Sequence, residues 1–213
     1  MSGVLETDGS IAAGGTVILA NGAFPRRGGE ASRLLAAAAR VVACDGAARG
    51  YARRFGRAPD FIVGDLDSLG GAAGERSGAR VVRIAEQDTN DLAKAIGFCR
   101  AQGWRDLAIV GAEGRRADHA LGNIFRAMAA GVAIVGDYGS FLPVEGSVTL
   151  RTRPGAAVSI FATDPETAMT SSGLAWPLDG VKFSNLYCAT LNRTTDAVVR
   201  IFSNRPFFLY LPL

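Results

Sequence analysis

The first two-thirds of the chain alternate between short apolar runs and stretches in which apolar residues recur every three to four positions. Apolar runs of this length are typical of buried strands, and the recurring spacing is typical of amphipathic helices. The pattern predicts strands at 16–24, 41–47, 61–68, 80–86, 106–112 and 132–138. It predicts helices at 30–40, 48–56, 89–103 and 117–131. Almost wholly apolar strands that alternate with helices favour a parallel sheet covered on both faces.

The pattern changes after about residue 140, where helical spacing disappears. The segment 147–162 predicts two strands joined by the turn Arg153-Pro154-Gly155-Ala156, because Pro and Gly at the central positions favour a type II turn. Further β-rich pieces lie at 173–178, 181–191 and 197–213. We therefore predict an α/β fold, with a parallel doubly wound N-terminal domain at 1–139 followed by a small all-β sandwich domain at 140–213.

Composition narrows the classes of function. The chain has 213 residues, of which 48% are hydrophobic and 20% charged, as in ordinary globular proteins. The net charge is only +3 and the basic residues are scattered, so no nucleic-acid partner is expected. Neither a signal peptide nor an apolar run of the ~20 residues that span a membrane is visible. Three widely spaced cysteines, Cys44, Cys99 and Cys188, predict buried or half-buried free thiols, and a cytoplasmic protein is expected.

Polar residues follow nearly every predicted strand of the N-terminal domain. Ligands of parallel α/β sheets bind beyond the carboxyl ends of the strands, so these residues should lie together. Converging carboxylates would repel one another, and a divalent cation resolves that conflict; an all-oxygen site suits Mg²⁺. The carboxylates expected at this edge are Asp45, Asp65, Asp67, Asp91 and Asp118.

Each residue also has an ordinary structural interpretation. Asp67 with Ser68 could form a turn or a helix cap, and Asp88 and Asp91 could cap the helix at 89–103. Asp118 could simply supply negative charge at the start of the next helix, where His119 could be a hydrogen-bonded helix residue. Arg115 and Arg116 are candidates for binding phosphate, or solvated surface residues.

Familiar nucleotide and catalytic motifs are missing from the sequence. It contains neither GxGxxG nor GxxxxGK[ST], so a usual nicotinamide-dinucleotide or P-loop site is not expected. GxSxG and HExxH are absent too. The carboxylates at this edge would also suit a Mg²⁺-dependent phosphohydrolase or nucleotidyltransferase. A non-catalytic nucleotide-binding module is a further alternative.

Several blocks of sequence resemble the thiamine pyrophosphokinase family from about residue 17 to the C-terminus. The blocks are VVACDGAARGYARRFGRAPDFIVGDLDSL, QDTNDLAKAI, GRRADHALGNI, SSGLAWPL and FSNLY. The resemblance implies an α/β domain followed by a β-sandwich domain, and a homodimer in which the β domain of one chain faces the metal site of the other. It also implies Mg²⁺-dependent transfer of pyrophosphate from ATP to the hydroxyl of thiamine, giving thiamine diphosphate and AMP.

The resemblance also implies roles for individual residues. The metal ligands would be Asp65, Asp67 and Asp91, and the catalytic residues Asp45, Arg116 and Asp118. The ATP-binding residues would be Asn21, Gly46, Gln87, Asp88, Arg116 and His119. The thiamine-binding residues would be Trp176, which offers an aromatic face, with Ser184 and Asn185. Whether Asp118 accepts the hydroxyl proton or binds a second metal is left open.

Three positions depart from the family pattern. Asn90 stands where a threonine is common, but both residues can cap a helix. Arg115 stands where a glycine is common and could crowd its loop. Leu186 follows Ser184-Asn185 where an acidic residue is common, which affects the detail of the thiamine pocket.

Overall fold

The computed structural model describes residues 3–6, 15–65 and 78–213. The chain divides into two compact units, Ile11–Asp137 and a second unit that combines Met1–Ser10 with Tyr138–Leu213. The second unit contains the first strand, β1 (Gly3–Glu6). The predicted domain limits, 1–139 and 140–213, stay a prediction.

The unit Ile11–Asp137 is built on a parallel sheet with the strand order β7-β6-β2-β3-β4-β5. Its strands are β2 (Thr16–Leu19), β3 (Arg40–Cys44), β4 (Phe61–Gly64), β5 (Arg80–Arg83), β6 (Leu107–Val110) and β7 (Ala133–Val135). Its helices are α1 (Glu30–Ala37), α2 (Ala47–Phe55), α3 (Asp91–Ala101) and α4 (Ala117–Ala130). The predicted parallel α/β architecture is confirmed.

Burial explains why these segments form their elements. Every residue of β2 and β6 is buried, as expected of central strands in a covered sheet. Helix α3 buries the face predicted for it, with Leu92, Ala95, Ile96 and Cys99 all at or below 4% exposure. Gly103 follows this helix with φ of 78°, a left-handed conformation that glycine adopts without steric cost.

The strand order contains one reversal, between β2 and β6. From β2 the chain adds β3, β4 and β5 on one side, and then crosses to place β6 and β7 on the other side. In open α/β sheets, the carboxyl ends of the strands beside such a reversal form a crevice. Topology therefore makes the ends of β2, β3 and β6 the place to look for a ligand site.

The unit formed by β1 and Tyr138–Leu213 consists of two sheets. Its other strands are β8 (Gly139–Val144), β9 (Ser147–Arg151), β10 (Ala157–Phe161), β11 (Met169–Ser172), β12 (Ala189–Arg193), β13 (Val198–Ser203) and β14 (Phe207–Pro212). One sheet has the order β1-β9-β13-β11, and the other contains β12-β10-β14-β8. Pairing is antiparallel except between β1 and β9. The predicted all-β character is confirmed.

In the β unit the turn predicted at Arg153–Ala156 is confirmed, whereas several strands were not predicted. Gly155 has φ of 82° and Ala156 N–H donates to the Arg153 carbonyl at 3.2 Å, as a type II turn requires. The pattern did not predict β1, β8 or β11, and the piece at 173–178 contributes only the isolated bridge Leu174–Thr194. In the part of the chain that the structure describes, no helix has both the length and the apolar character needed to cross a membrane.

Candidate active site

A cavity of about 470 Å³ lies at the carboxyl ends of the parallel strands. Its wall includes Ala20 and Asn21 after β2, Asp65 after β4, and Ala112 after β6. It also includes the start of α3 and the start of α4. The cavity therefore occupies the crevice that the strand order indicates.

The structure brings six of the residues predicted for metal and ATP onto this wall. They are Asn21, Asp65, Gln87, Asp91, Arg116 and His119. Four other predicted residues, Asp45, Gly46, Asp88 and Asp118, are not among the lining residues. Asp67 lies outside the described residues.

Asp45 and Asp91 converge on the backbone of Gly64. A side chain at Gly64 would place its Cβ 3.0 Å from the Cβ of Asp45 and 3.2 Å from Oδ1 of Asp91. A methyl group at this position would be tight against both aspartates, so glycine lets them lie this close to the backbone. Asp65, the next residue along the chain, then lines the cavity.

Cys44, which also lines the cavity, lies close to both aspartates. Its Sγ lies 3.6 Å from the backbone carbonyl of Asp91. Burial raises the pKa of the Cys44 thiol well above its usual value, and the nearby charges of Asp91 and Asp45 raise it further. Cys44 is therefore an inert neutral thiol, and the carboxylates of Asp45 and Asp91 act on the same small volume.

Helix α3 delivers Asp91 to the cavity through its N-terminal cap. The cap is Asn90, whose Oδ1 accepts a hydrogen bond from Ala93 N–H at 2.9 Å. The expectation that asparagine can replace threonine here is confirmed, and neither Asp88 nor Asp91 is the cap. Asp91 occupies the first turn of the helix, and Asn90 rather than Asp91 makes the capping hydrogen bond.

Lys94 adds a buried positive charge beside Asp91. Its side chain is only 2% exposed, and its Nζ lies 3.9 Å from Oδ1 of Asp91. Lys94 also lines the cavity. Taking an ammonium out of water is costly unless negative charge lies nearby, and the Asp91 carboxylate supplies that charge.

Gln87 and Asp65 meet across the cavity wall. The Nε2 of Gln87 lies 3.5 Å from Oδ2 of Asp65, a long contact that brings the two predicted residues together. The loop that follows Gln87 is organised by Glu86, whose carboxylate accepts hydrogen bonds from the N–H groups of Asp88 and Thr89. The Thr89 hydroxyl also donates to Glu86, and this bond lowers the pKa of that carboxyl group. Asp88 thus contributes its backbone to the loop.

Arg116 and Asp118 form a bidentate ion pair at the start of α4. Arg116 Nε donates to Asp118 Oδ1 at 3.1 Å and Nη2 donates to Oδ2 at 2.5 Å. The Arg116 guanidinium lowers the pKa of the exposed Asp118 carboxyl to about 2. Arg116 is also the N-cap residue of α4 and makes no side-chain cap bond, whereas the backbone amide of His119 donates to the Asp118 carboxylate.

A second cavity, of about 450 Å³, lies wholly within the β unit. Its wall includes Trp176, Pro177, Cys188 and Leu191. Trp176 is 59% exposed, and its backbone is held at both ends by the buried side chain of Asn192. The Trp176 ring is therefore presented to solvent on a rigid support.

A bulge between β10 and β12 shapes the same cavity. Val158 pairs with Asn192 and Ile160 pairs with Ala189, so Thr190 and Leu191 together oppose Ser159. Leu191 adopts a left-handed φ of 59° and is 83% exposed. Bulges of this type turn a side chain out of the sheet. Here the bulge places an aliphatic side chain beside Trp176.

Ser184 and Asn185 do not line the Trp176 cavity. Instead, Asn185 Oδ1 accepts hydrogen bonds from Tyr187 N–H at 3.1 Å and from Cys188 Sγ at 3.3 Å. The two predicted residues thus shape the turn that brings Cys188 to the cavity. The structure also corrects one expectation about the thiols: Cys44 and Cys99 are buried, but Cys188 is exposed because it lies on this surface turn.

Comparison with models of known families identifies both parts of the chain. Residues 31–135 match the model described as thiamin pyrophosphokinase, catalytic domain. Residues 139–210 match the model described as thiamin pyrophosphokinase, substrate-binding domain. The chain belongs to the thiamin pyrophosphokinase family. It carries both a catalytic and a substrate-binding domain, and it is an enzyme of the diphosphotransferase class.

Solved structures of thiamin pyrophosphokinases share this fold. The enzyme from Candida albicans is 14% identical with a TM-score of 0.75, over 100% of this chain and 93% of that chain. The enzyme from Geobacillus thermodenitrificans is 21% identical with a TM-score of 0.70, over 93% and 97%. The yeast enzyme is 14% identical with a TM-score of 0.69, over 98% and 90%. A search of curated proteins found no match.

The donor atoms of the first cavity are compatible with magnesium, although they do not form a complete protein site. No group of three or more His, Cys, Asp or Glu residues placed to hold a metal occurs within 3–6, 15–65 and 78–213. Two carboxylates, Asp65 and Asp91, do line the cavity. Mg²⁺ is commonly bound through one or two carboxylates, with substrate phosphates and water completing its shell. The donor set of this family member therefore fits a Mg²⁺ ion whose remaining ligands are phosphate and water.

Two residues that shape these sites were not predicted from the sequence. Lys94 lies three residues after Asp91, so helical spacing could have placed it beside that aspartate. Asn192, which holds Trp176, is 16 residues away from it and carries no local signal. Asn192 and Trp176 come together only because β12 pairs with the loop that carries Trp176.

Proposed function

We propose that this chain transfers a pyrophosphoryl group from ATP to the hydroxyl of thiamine in a Mg²⁺-dependent reaction, giving thiamine diphosphate and AMP. One observation carries the proposal. In a chain of the thiamin pyrophosphokinase family, two carboxylates, a buried lysine and an arginine line one cavity at the strand reversal. The thiamine hydroxyl oxygen would form a bond to the β-phosphorus of ATP while the bond from that phosphorus to the α–β bridging oxygen breaks. AMP would leave with the electrons of that bond, and the hydroxyl proton would be released to water.

Asp65 and Asp91 would hold Mg²⁺, with Asp67 as a further candidate ligand. When bound, the ion supplies charge neutralisation at the phosphate oxygens. Asp45 would support the site from behind Gly64, since its Cβ faces the same backbone as the Asp91 carboxylate. Gln87 would orient Asp65 and the nucleotide.

Arg116 would bind phosphate through the guanidinium edge that its contact with Asp118 leaves available. The amides at the start of α4 would add further donors, with Asn21, Gly46, Asp88 and His119 placed around the nucleotide. Asp118 is then a positioning group for Arg116. A carboxyl group with its pKa at about 2 is a weak acceptor for a hydroxyl proton at neutral pH, which disfavours the role of general base.

Thiamine would bind against Trp176 in the β unit. Its cationic planar ring suits an exposed indole face, and a cation–π contact contributes ~0.5–2 kcal/mol. Leu191 and Cys188 offer apolar contacts on the same wall. Ser184 and Asn185 would act through the turn that carries Cys188.

The reaction requires the two cavities to face each other. We propose, as the family resemblance implies, that they do so in a homodimer, with the β unit of one copy at the metal site of the other. The cytoplasmic location expected from the sequence stays a prediction.

A coupled assay for AMP tests the proposal. The purified chain, incubated with ATP, Mg²⁺ and thiamine, should form AMP and thiamine diphosphate in equal amounts, whereas pyridoxine and riboflavin should give neither product. Nucleotide hydrolysis that does not depend on thiamine would favour the phosphohydrolase rival. Tight ATP binding without any turnover would favour the non-catalytic binding module.

A further inference from the structure

Arg115 adopts a backbone conformation that L-amino acids rarely use. Its φ is 59°, in the left-handed region, within a loop where Gly111 and Gly114 also have positive φ, of 66° and 77°. For a residue with a Cβ atom this region is sterically unfavourable, which explains why glycine suits the position. A non-glycine residue persists there only when its contacts compensate for the cost.

The compensating contacts of Arg115 are made to Asn21. Its Nη1 donates to the backbone carbonyl and to the side-chain Oδ1 of Asn21, both at 3.2 Å. Arg115 and Asn21 both line the cavity at the strand reversal. One guanidinium nitrogen therefore fixes the direction of the Asn21 amide as well as its backbone.

The loops that carry these residues are joined by their backbones. Gly22 N–H donates to the Gly111 carbonyl at 2.8 Å, and Ala23 N–H donates to the Glu113 carbonyl at 2.7 Å. A Cβ atom at Gly22 would lie 2.3 Å from the Glu113 carbonyl oxygen, so the loops could not approach this closely with a side chain there. Arg115 thus reaches Asn21 across two loops whose separation is already set.

Asn21 in turn contacts the loop that follows β3. Its Nδ2 lies 3.0 Å from the position that a Cβ of Gly46 would occupy. With Oδ1 accepting from Arg115, the Nδ2 donor is held on the side of the β3 loop. The ends of β2, β3 and β6 therefore meet through Arg115, Asn21 and Gly46.

We infer that Arg115 is a positioning residue that holds the Asn21 amide in a binding-ready orientation for the phosphates of the nucleotide. The inference rests on the proposed function and deepens it. The arginine that departs from the family pattern restrains the Asn21 side chain through a hydrogen bond that glycine could not make. Preorganising a donor in this way improves binding of the nucleotide without any contact to the second substrate.

Replacing Arg115 by glycine separates this role from a purely structural one. Arg115→Gly removes the guanidinium and, because glycine has no Cβ atom, also removes the steric cost of the left-handed backbone conformation. The thermal unfolding midpoint should therefore stay unchanged or rise. The KM for ATP should rise about three- to tenfold, as expected for loss of one hydrogen bond, whereas the KM for thiamine should not change. A wild-type KM for ATP in this variant, or an equal rise in both KM values, would overturn the inference.

Three further variants define the mechanism. Asn21→Ala and Arg115→Gly should be non-additive in a double-mutant cycle, because each removes the same interaction; additive effects would contradict positioning through Asn21. Arg115→Lys retains the charge but not the planar donor group, and a wild-type KM for ATP in it would show that charge alone matters. Arg126→Ala, which removes a charge from α4 away from the cavity wall, should leave both KM values unchanged.

Binding measurements keep this inference distinct from the proposed function. Calorimetric titration with a non-hydrolysable ATP analogue and Mg²⁺ needs no turnover. If the wild-type chain binds the analogue but forms no AMP with thiamine, the proposed function fails. Weaker analogue binding by Arg115→Gly would then still support the positioning role, and unchanged binding would remove it.

Discussion

The two cavities of this chain are built by different means. The cavity in the α/β unit collects polar side chains from the ends of several parallel strands, with Asp65 after β4 and Asn21 after β2. The cavity in the β unit depends on one loop and one bulge, which present Trp176 and Leu191. The first is lined by carboxylates and cationic groups, and the second by mainly apolar side chains.

This difference shows that the type of sheet decides which side chains can gather in a cavity. A parallel sheet directs all its carboxyl ends to one edge, so charge can accumulate there and bind phosphates with a cation. An antiparallel sheet has no such edge, and its site must be made by local irregularity. Variants should therefore affect the cavity of the α/β unit through charge and spacing, and the cavity of the β unit through one exposed aromatic surface.

The largest expected effect comes from removing a carboxylate at the end of β4. Asp65→Asn should lower kcat/KM in the AMP assay by about 10²–10³-fold, because an amide is a much weaker ligand for Mg²⁺. Circular dichroism should show an intact fold. Asp196→Asn, in the β unit, is the matched control, since its described side-chain contact is with the neighbouring Thr195. Full activity of Asp65→Asn would refute the metal assignment.

A methyl group at Gly64 should be the next most damaging change. The added Cβ would lie 3.2 Å from Oδ1 of Asp91 and displace that carboxylate, which should reduce kcat/KM by roughly 10–100-fold. The Mg²⁺ concentration needed for half-maximal activity should rise as well.

A matched glycine in the same unit provides the control for Gly64→Ala. Gly97 lies inside α3, and a Cβ there would meet nothing within 4 Å. Gly97→Ala should therefore raise the free energy of unfolding by about 0.5–1 kcal/mol in urea and leave kinetics unchanged. Equal kinetic behaviour of the two alanine variants would show that the spacing around Gly64 is unimportant.

Removing the exposed indole should affect one substrate only. Trp176→Ala should raise the KM for thiamine by roughly two- to thirtyfold, the range of a cation–π contact, with little change in the KM for ATP. Trp104→Ala is the contrasting control. That ring packs against Phe61 and Phe98 and lies under the Arg40 guanidinium, so its loss should cost about 2–4 kcal/mol of stability without substrate selectivity. An equal rise in both KM values for Trp176→Ala would exclude stacking.

The smallest effects should appear in thiol labelling. Hydrogen bonds from the Asn185 backbone and from Ser184 lower the pKa of the exposed Cys188 thiol, whereas burial raises the pKa of Cys99 to about 12 and that of Cys44 well above its usual value. Since the thiolate reacts, iodoacetamide near pH 8 should modify Cys188 alone, and the rate should rise with pH through its lowered pKa.

Ligand protection ties this labelling to the comparison of the two cavities. Thiamine should slow alkylation of Cys188 a few-fold, because this thiol lines the Trp176 cavity, and ATP should not. Mass spectrometry of labelled peptides measures both rates. Protection by ATP alone would place the nucleotide in the wrong cavity and contradict the assignment.

Much of the cavity in the α/β unit could be predicted from local patterns. A helix whose buried face recurs every three to four positions predicted α3. Apolar strands ending in polar residues predicted that five aspartates gather at one edge; of these, Asp65 and Asp91 line the cavity, Asp45 and Asp118 do not, and Asp67 lies outside the described residues. These predictions succeed because the direction of each strand and the hand of each crossover follow from chirality, and every parallel strand then ends at the same edge.

The amino-acid sequence by itself determined the parallel α/β unit, the change to antiparallel strands, the turn at Pro154-Gly155 and the residues available at each strand end. Only the tertiary structure decided which of them share a cavity, that Lys94 is buried beside Asp91, that Arg115 holds Asn21, and that Asn192 supports Trp176. Periodicity reports burial along one element, because a side chain's direction repeats with its backbone. Contacts between distant segments depend on packing distances that no local pattern contains.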